Sequence, residues 1–201
     1  FEKYYEILSQ RSKEGAEWEA YTPYELRAIG TFVRLGQKQR AHEALDFFFT
    51  SQRPANWNHW GEIVWRDRNA PNFIGDLPHT WVGADYIRSL RSLFVYEREM
   101  DNALVLAAGV RDEWVTNGSG ITVKRLPTYY GTLNYSLKRE QDNTIALHMS
   151  GDLTLPPGGI VVHSPISSPL RGVSVNRSPV EKFDIDRVVV DQFPAEVVLH
   201  Y

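Results

Sequence analysis

The chain has no cysteine, which excludes disulfides, thiol nucleophiles and cysteine-ligated metals, while leaving the compartment open. It lacks any apolar run approaching the roughly 20 residues of a membrane span, so no membrane partner is expected. The opening FEKYYEILSQ lacks a signal-peptide pattern, and a start at Phe1 without an initiator Met fits a processed protein or an excised segment. There is no excess of positive charge: 22 Lys and Arg stand against 25 Asp and Glu, a formal net charge of −3. A nucleic-acid partner is therefore not expected. Histidines are few and follow no HxH or HxxxH spacing, so no metal site is expected, and no cofactor motif occurs. The Gly118-Ser119-Gly120 and Pro157-Gly158-Gly159 segments read as turns, because no following helix presents its N-terminus to a phosphate. A GxSxG nucleophile elbow is also missing.

What the chain does have is a dense aromatic block. Trp57 to Trp81, WNHWGEIVWRDRNAPNFIGDLPHTW, holds four of the six tryptophans and two of the six histidines beside Glu62 and Asp76. Indole rings present flat faces that stack on the C–H faces of a sugar, and their N–H groups need polar partners. Trp57, Trp60, Trp65 and Trp81 therefore either line a sugar subsite or close the end of a helical core. Glu62 is either a catalytic carboxylate or the ion-pair partner of Arg66, four residues on. Asp76 and His79 precede a helical pattern and either contact substrate or cap that helix.

At 201 residues the chain is long enough for one large domain or two of about 100 residues each. Its character changes near Asp101, predicting an α+β protein with a helical domain over 1–100 and an antiparallel β-sandwich over 101–201. In the first part, Glu2 to Ser12 reads as a helix with Tyr5 and Leu8 facing in. Thr22-Pro23-Tyr24-Glu25 reads as a capping box that opens a helix to about Leu35, with Gly36 as its stop. A second helix is predicted over Gln37 to Ser51; with so short a connection, residues 23–51 form an αα-hairpin. A further helix fits Thr80 to Glu97, with Val82, Tyr86, Leu90, Leu93 and Phe94 as one stripe and Asp85, Arg88, Ser89, Ser92 and Tyr96 as a polar face.

In the second part, short β-branched runs are separated by turn-rich segments that include Gln141-Asp142-Asn143 and Pro156-Pro157-Gly158-Gly159. The predicted strands are 103–107, 121–124, 132–139, 144–149, 159–163, 173–175, 187–190 and 196–200. Leu133, Tyr135 and Leu137 alternate with Asn134, Ser136 and Lys138, the period of a sheet with one wet face.

With these residues in view, the chain resembles the C-terminal end of six-hairpin (α/α)6-barrel glycosidases. WGEIVW followed by GDLPHTWVGADYIRSL is similar in layout to the bacterial α-L-rhamnosidase group, in which a Trp-Glu segment precedes an Asn-His segment. Here Trp60-Gly61-Glu62 and Pro78-His79 stand in their place. The resemblance implies a partial (α/α)6 toroid followed by the β-sandwich, a carbohydrate partner, and Glu62 as the general base. Trp57, Trp60, Asp76, His79 and Trp81 would bind substrate. It also implies export to the periplasm or extracellular space.

The general acid would come from an earlier hairpin, so the chain alone would be inactive; Glu25, Asp67, Asp76 and Asp85 are the internal alternatives. Association with the missing upstream hairpins, or a homodimer through the exposed helices, is expected on the same grounds. The alternative is a non-catalytic carbohydrate-binding or protein-interaction module, since architecture does not fix function.

Overall fold

Alternation along residues 131–141 places Leu133, Tyr135 and Leu137 in the core, each at most 2% exposed, and turns Lys138 to solvent. That strand is the second from one edge of the larger, six-stranded sheet in a computed structural model that describes residues 1–69, 71–141 and 143–201. Ala70 and Asp142, the latter the middle of the expected Gln141-Asp142-Asn143 turn, lie outside the described residues. Two units follow one another, Phe1–Ser92 and Leu93–Tyr201.

The described chain carries twelve strands in three sheets and five α-helices, none longer than 15 residues. This corrects the expected fold class, because a partial (α/α)6 toroid is not seen. Its helices are too short and too few to build inner and outer layers, and most of residues 50–79 is loop rather than helix. Among the described residues no helix is long and apolar enough to cross a membrane.

The first unit contains α1 (Glu2–Arg11), β1 (Ala20–Tyr21), a 3-10 turn (Pro23–Leu26), α2 (Arg27–Arg34), α3 (Lys38–Phe49), β2 (Val64–Trp65) and most of α4 (Thr80–Phe94). The expected capping box does not form. Glu25 accepts hydrogen bonds from Tyr4 Oη at 2.9 Å and Arg11 Nη1 at 2.7 Å, while Thr22 Oγ1 is buried without a partner. With that reciprocal cap gone, residues 23–26 wind as a tight 3-10 turn before the α-helix begins.

Gly36, at φ +72°, ends α2 with paired bonds from Gly36 N–H to Val33 O and Gln37 N–H to Phe32 O. Ile29, Phe32, Ala41, Ala44, Phe48, Trp60 and Val82 are buried in this unit, each 0–1% exposed. On α4 the expected polar face is only partly wet: Ser89 and Ser92 are 3% exposed. Gly30 makes this possible, because a Cβ there would lie 3.2 Å from Ser92 Oγ. Ser89 Oγ donates to Leu26 O at 2.8 Å, which satisfies the buried hydroxyl.

The predicted helix to Glu97 stops at Phe94, and residues 95–98 leave as β3 (Val95–Arg98). Val95 and Tyr96 suit the extended state, and pairing with β4 (Ala103–Leu106) outweighs helical continuation. The second unit continues with α5 (Asp112–Thr116), β5 (Ile121–Thr128), β6 (Gly131–Gln141), β7 (Thr144–Leu153), β8 (Ile160–His163), β9 (Gly172–Val175), β10 (Ser178–Pro179), β11 (Arg187–Val190) and β12 (Ala195–His200). One sheet runs β10-β9-β12-β7-β6-β5 with every pair antiparallel; the other runs β11-β8-β4-β3. In the latter, β4 pairs β8 in parallel, so the second unit is not the wholly antiparallel structure expected. The two sheets share one hydrophobic core in which Leu104, Ile160 and Val188 meet Leu133, Leu147 and Val197. Gly109 lies so close to Leu93 that a Cβ would sit 2.7 Å from its Cα.

Candidate functional site

The aromatic block is folded back on itself by two cross-links. Ile63 N–H donates to Ile74 O at 3.1 Å, and Trp65 Nε1 donates to Phe73 O at 2.8 Å. The two-residue ladder of β1 with β2 pairs Ala20 with Trp65 and Tyr21 with Val64, tying this loop to the N-terminal segment. Glu62 lies two residues before that ladder and is half-buried.

Gly75 presses against the Glu62 side chain. Its φ is +70°, and a Cβ on it would stand 2.4 Å from Glu62 Oε2 and 2.5 Å from Glu62 Cβ. Only glycine accepts both the backbone conformation and the contact. No hydrogen bond or ion pair to the Glu62 carboxylate exists among the described residues. The expected Arg66 partner turns instead to Glu17, at 2.6 Å.

Tyr24, on the 3-10 turn, is the centre around which the rest gathers. Its hydroxyl lies 2.6 Å from His79 Nε2. The other ring nitrogen, Nδ1, lies 3.9 Å from Asp76 Oδ2, beyond direct hydrogen-bond reach. Arg27 Cζ sits over the Tyr24 ring at 4.9 Å from its centroid, and Arg27 Nε donates to Asp85 Oδ2 at 2.7 Å. Burial holds the Tyr24 phenol above its ordinary value, and the negative charge of Glu62, then of Asp85 and Asp76, pushes the same way; Arg27 opposes them. Tyr24 thus stays a neutral donor beside acidic groups.

His79 stands at the mouth of α4, its carbonyl accepting from Gly83 N–H at 3.1 Å. The Trp81 ring stands against it, 6.3 Å between centroids at 62°, with 71% of the residue exposed. So Glu62, Asp76, His79 and Trp81 share one neighbourhood. Trp60 does not: it is 1% exposed, donates Nε1 to Phe48 O at 2.9 Å, and packs on Tyr86 with 5.1 Å between ring centroids. It is a wall of the core behind the site. Trp57 is 68% exposed on a turn closed by its N–H to Pro54 O, and no ring contact or hydrogen bond among the described residues joins it to the cluster.

Of the four alternative carboxylates, Glu25 is engaged by Tyr4 and Arg11, and Asp67 accepts Asn69 N–H at 2.9 Å. Asp76 and Asp85 are the two that surround Tyr24 together with Glu62. Tyr24 and Arg27 were not singled out from sequence, because their residue types carried no motif beyond a helix start. Chemically, the cluster offers a carboxylate without a bonding partner among the described residues, a phenol–imidazole hydrogen bond with the Asp76 carboxylate 3.9 Å from the other ring nitrogen, and an exposed aromatic face.

No protein-family model matches the sequence, and no curated protein matches it. Among solved structures, a GH127 beta-L-arabinofuranosidase from Geobacillus stearothermophilus T6 aligns with 87% of this chain at 14% identity and a TM-score of 0.34. The chain spans about 30% of that enzyme's length. The neighbour is a glycosidase, but so slight a likeness carries no weight for fold or chemistry, and the α-L-rhamnosidase resemblance has no family match behind it.

Proposed function

We propose that the face built by Glu62, Tyr24, Asp76, His79 and Trp81 is one wall of a carbohydrate cleft in a protein of the glycoside hydrolase type. The observation that carries this reading is Glu62: a half-buried carboxylate with no bonding partner among the described residues, set beside a neutral phenol and kept clear by Gly75. Trp81 is the platform on which a sugar face stacks, and Tyr24, His79 and Asp76 are hydroxyl-orienting groups. In this reading Glu62 takes a proton from the water that attacks the anomeric carbon. The leaving oxygen receives its proton from an acid across the bond, about 6.5–9.5 Å from the base in an inverting geometry.

A second reading, a carbohydrate-binding face without hydrolysis, is favoured by the exposed rings of Trp57 and Trp81, at 68% and 71%. Calorimetric sugar binding by this chain, and aryl-glycoside turnover by a protein in which the acid across the bond is also present, test both with Trp81→Ala and Glu62→Gln across a sugar panel. On the enzyme reading, Trp81→Ala weakens binding by about tenfold, or about 1.4 kcal/mol. Glu62→Gln leaves binding in place and lowers turnover by about 100-fold or more. Turnover unchanged in Glu62→Gln removes the catalytic reading, and sugar binding unchanged in Trp81→Ala removes the cleft.

A further inference from the structure

The loop that carries Glu62 has another concave side, a cavity of about 140 Å³ lined by apolar Ile63, Trp65 and Ile74 and by two arginines, Arg53 and Arg68. Both arginines are tethered just beyond α3: Arg53 Nη1 donates to Gln52 O at 3.0 Å, and Arg68 Nη2 donates to Thr50 O. Each guanidinium has five N–H donors, so those tethers leave most of them free to point elsewhere. Among the described residues neither arginine has a carboxylate within ion-pair distance. Asp67, which also lines the cavity, is folded into its own turn by accepting Asn69 N–H.

Two cations and a single carboxylate, that of Asp67, therefore line one largely apolar hollow, an excess of one positive charge with no direct ion pair among the described residues. Arg53 registers this directly, its proton affinity lowered first by burial and then by the charge of Arg68, with Tyr21 acting the opposite way. Two like charges beside one partly buried hollow repel each other, and an anion bound between them relieves that repulsion. A planar or tetrahedral oxyanion suits a guanidinium fork far better than it suits a lysine.

We propose that Arg53 and Arg68 form a binding site for a small oxyanion group, a carboxylate or a sulfate. The group is either a free ion or the acidic substituent of a sugar seated on the neighbouring site; the latter source rests on the carbohydrate reading above.

Titration calorimetry on the chain at fixed ionic strength, with sodium sulfate, sodium glucuronate and glucose as probes, separates these cases. Sulfate and glucuronate bind and glucose does not occupy this cavity; Arg53→Gln and Arg68→Gln each weaken anion binding by about tenfold, the loss of one charge-assisted contact. Arg53→Lys keeps the charge but loses the fork, and recovers part of the binding. Should Arg53→Gln fail the circular-dichroism check of folding, Arg68→Gln carries the test, since Arg68 is exposed. Equal affinity for sulfate and glucuronate supports a free-ion site and leaves the carbohydrate reading without support here. Glucuronate binding tighter than sulfate, and weakened by Trp81→Ala, supports an acidic sugar. Absence of binding by both anions, or binding that survives both Arg→Gln variants, overturns the site.

Discussion

Tyr24 and His79, 55 residues apart in sequence, meet through a 2.6 Å contact between the phenol oxygen and Nε2. This contact joins the start of the α2 segment to the mouth of α4 and fixes the orientation of the imidazole toward Asp76. Tyr24→Phe keeps the ring beneath Arg27 and removes the bond. Urea denaturation is expected to show a loss of about 1 kcal/mol, the net worth of one such hydrogen bond. An unchanged midpoint would mean that water replaces the phenol without cost.

Gly75 and Gly83 give opposite expectations for the same substitution. Gly75→Ala meets a φ of +70° and a contact of 2.4 Å with Glu62 Oε2, so it displaces the Glu62 side chain and lowers stability by roughly 1–2 kcal/mol or more. Gly83 lies in α4 with nothing within 4 Å of an added Cβ, so Gly83→Ala stabilises by about 0.5–1 kcal/mol. Thermal melts of both variants check the pair. Stabilisation by Gly75→Ala would show that Glu62 is not held where it is described.

The tryptophans of the block separate in the same way. Trp60→Ala opens a hole in a core where the ring is 1% exposed, and is expected to cost about 3–5 kcal/mol. Trp81→Ala, at a residue 71% exposed, is expected to stay within about 0.5 kcal/mol of the parent. Parallel urea titrations report both.

Alkaline pH should destabilise the chain. Burial holds the Tyr4, Tyr21 and Tyr135 phenols above their ordinary value of 10.0, and pushes Tyr201 up to about 12. In each case the folded protein keeps a proton that the unfolded chain has already released. Stability is thus fully present below about pH 10 and falls as pH rises through the folded values. Melting temperature measured from neutral pH to about pH 12 is expected to be flat and then decline above about pH 10, and Tyr201→Phe should soften that decline. A melting temperature that rises over this range would contradict the assignment.

Local signals were legible and distant ones were not. Gly36 as a helix stop, the alternation of Leu133, Tyr135 and Leu137, and the β-branched run at 160–163 all express rules that act within a few residues. Thr22 and Glu25 have the spacing of a capping box, yet Glu25 is drawn off by Tyr4 and Arg11, partners on α1 that no local pattern identifies. Val95 to Glu97 fall within the helix predicted from sequence, but pairing with Leu104 to Leu106 decides their state. The parallel pairing of β4 with β8 joins segments more than 50 residues apart, with no short-range mark. At the site, Glu62, Asp76, His79 and Trp81 were visible as residue types. Tyr24 was hidden because only the folded chain brings it to His79, and Trp60 looked like Trp81 until burial told them apart.

The most direct test of a carbohydrate face at Trp81 and Glu62 is the indole N–H spectrum of the chain by heteronuclear NMR, titrated with a panel of monosaccharides. The Trp81 resonance should shift saturably with at least one sugar, while that of Trp60, buried and bonded to Phe48 O at 2.9 Å, stays fixed. A Trp81 signal unmoved by every sugar, or one that moves only together with Trp60, would contradict it.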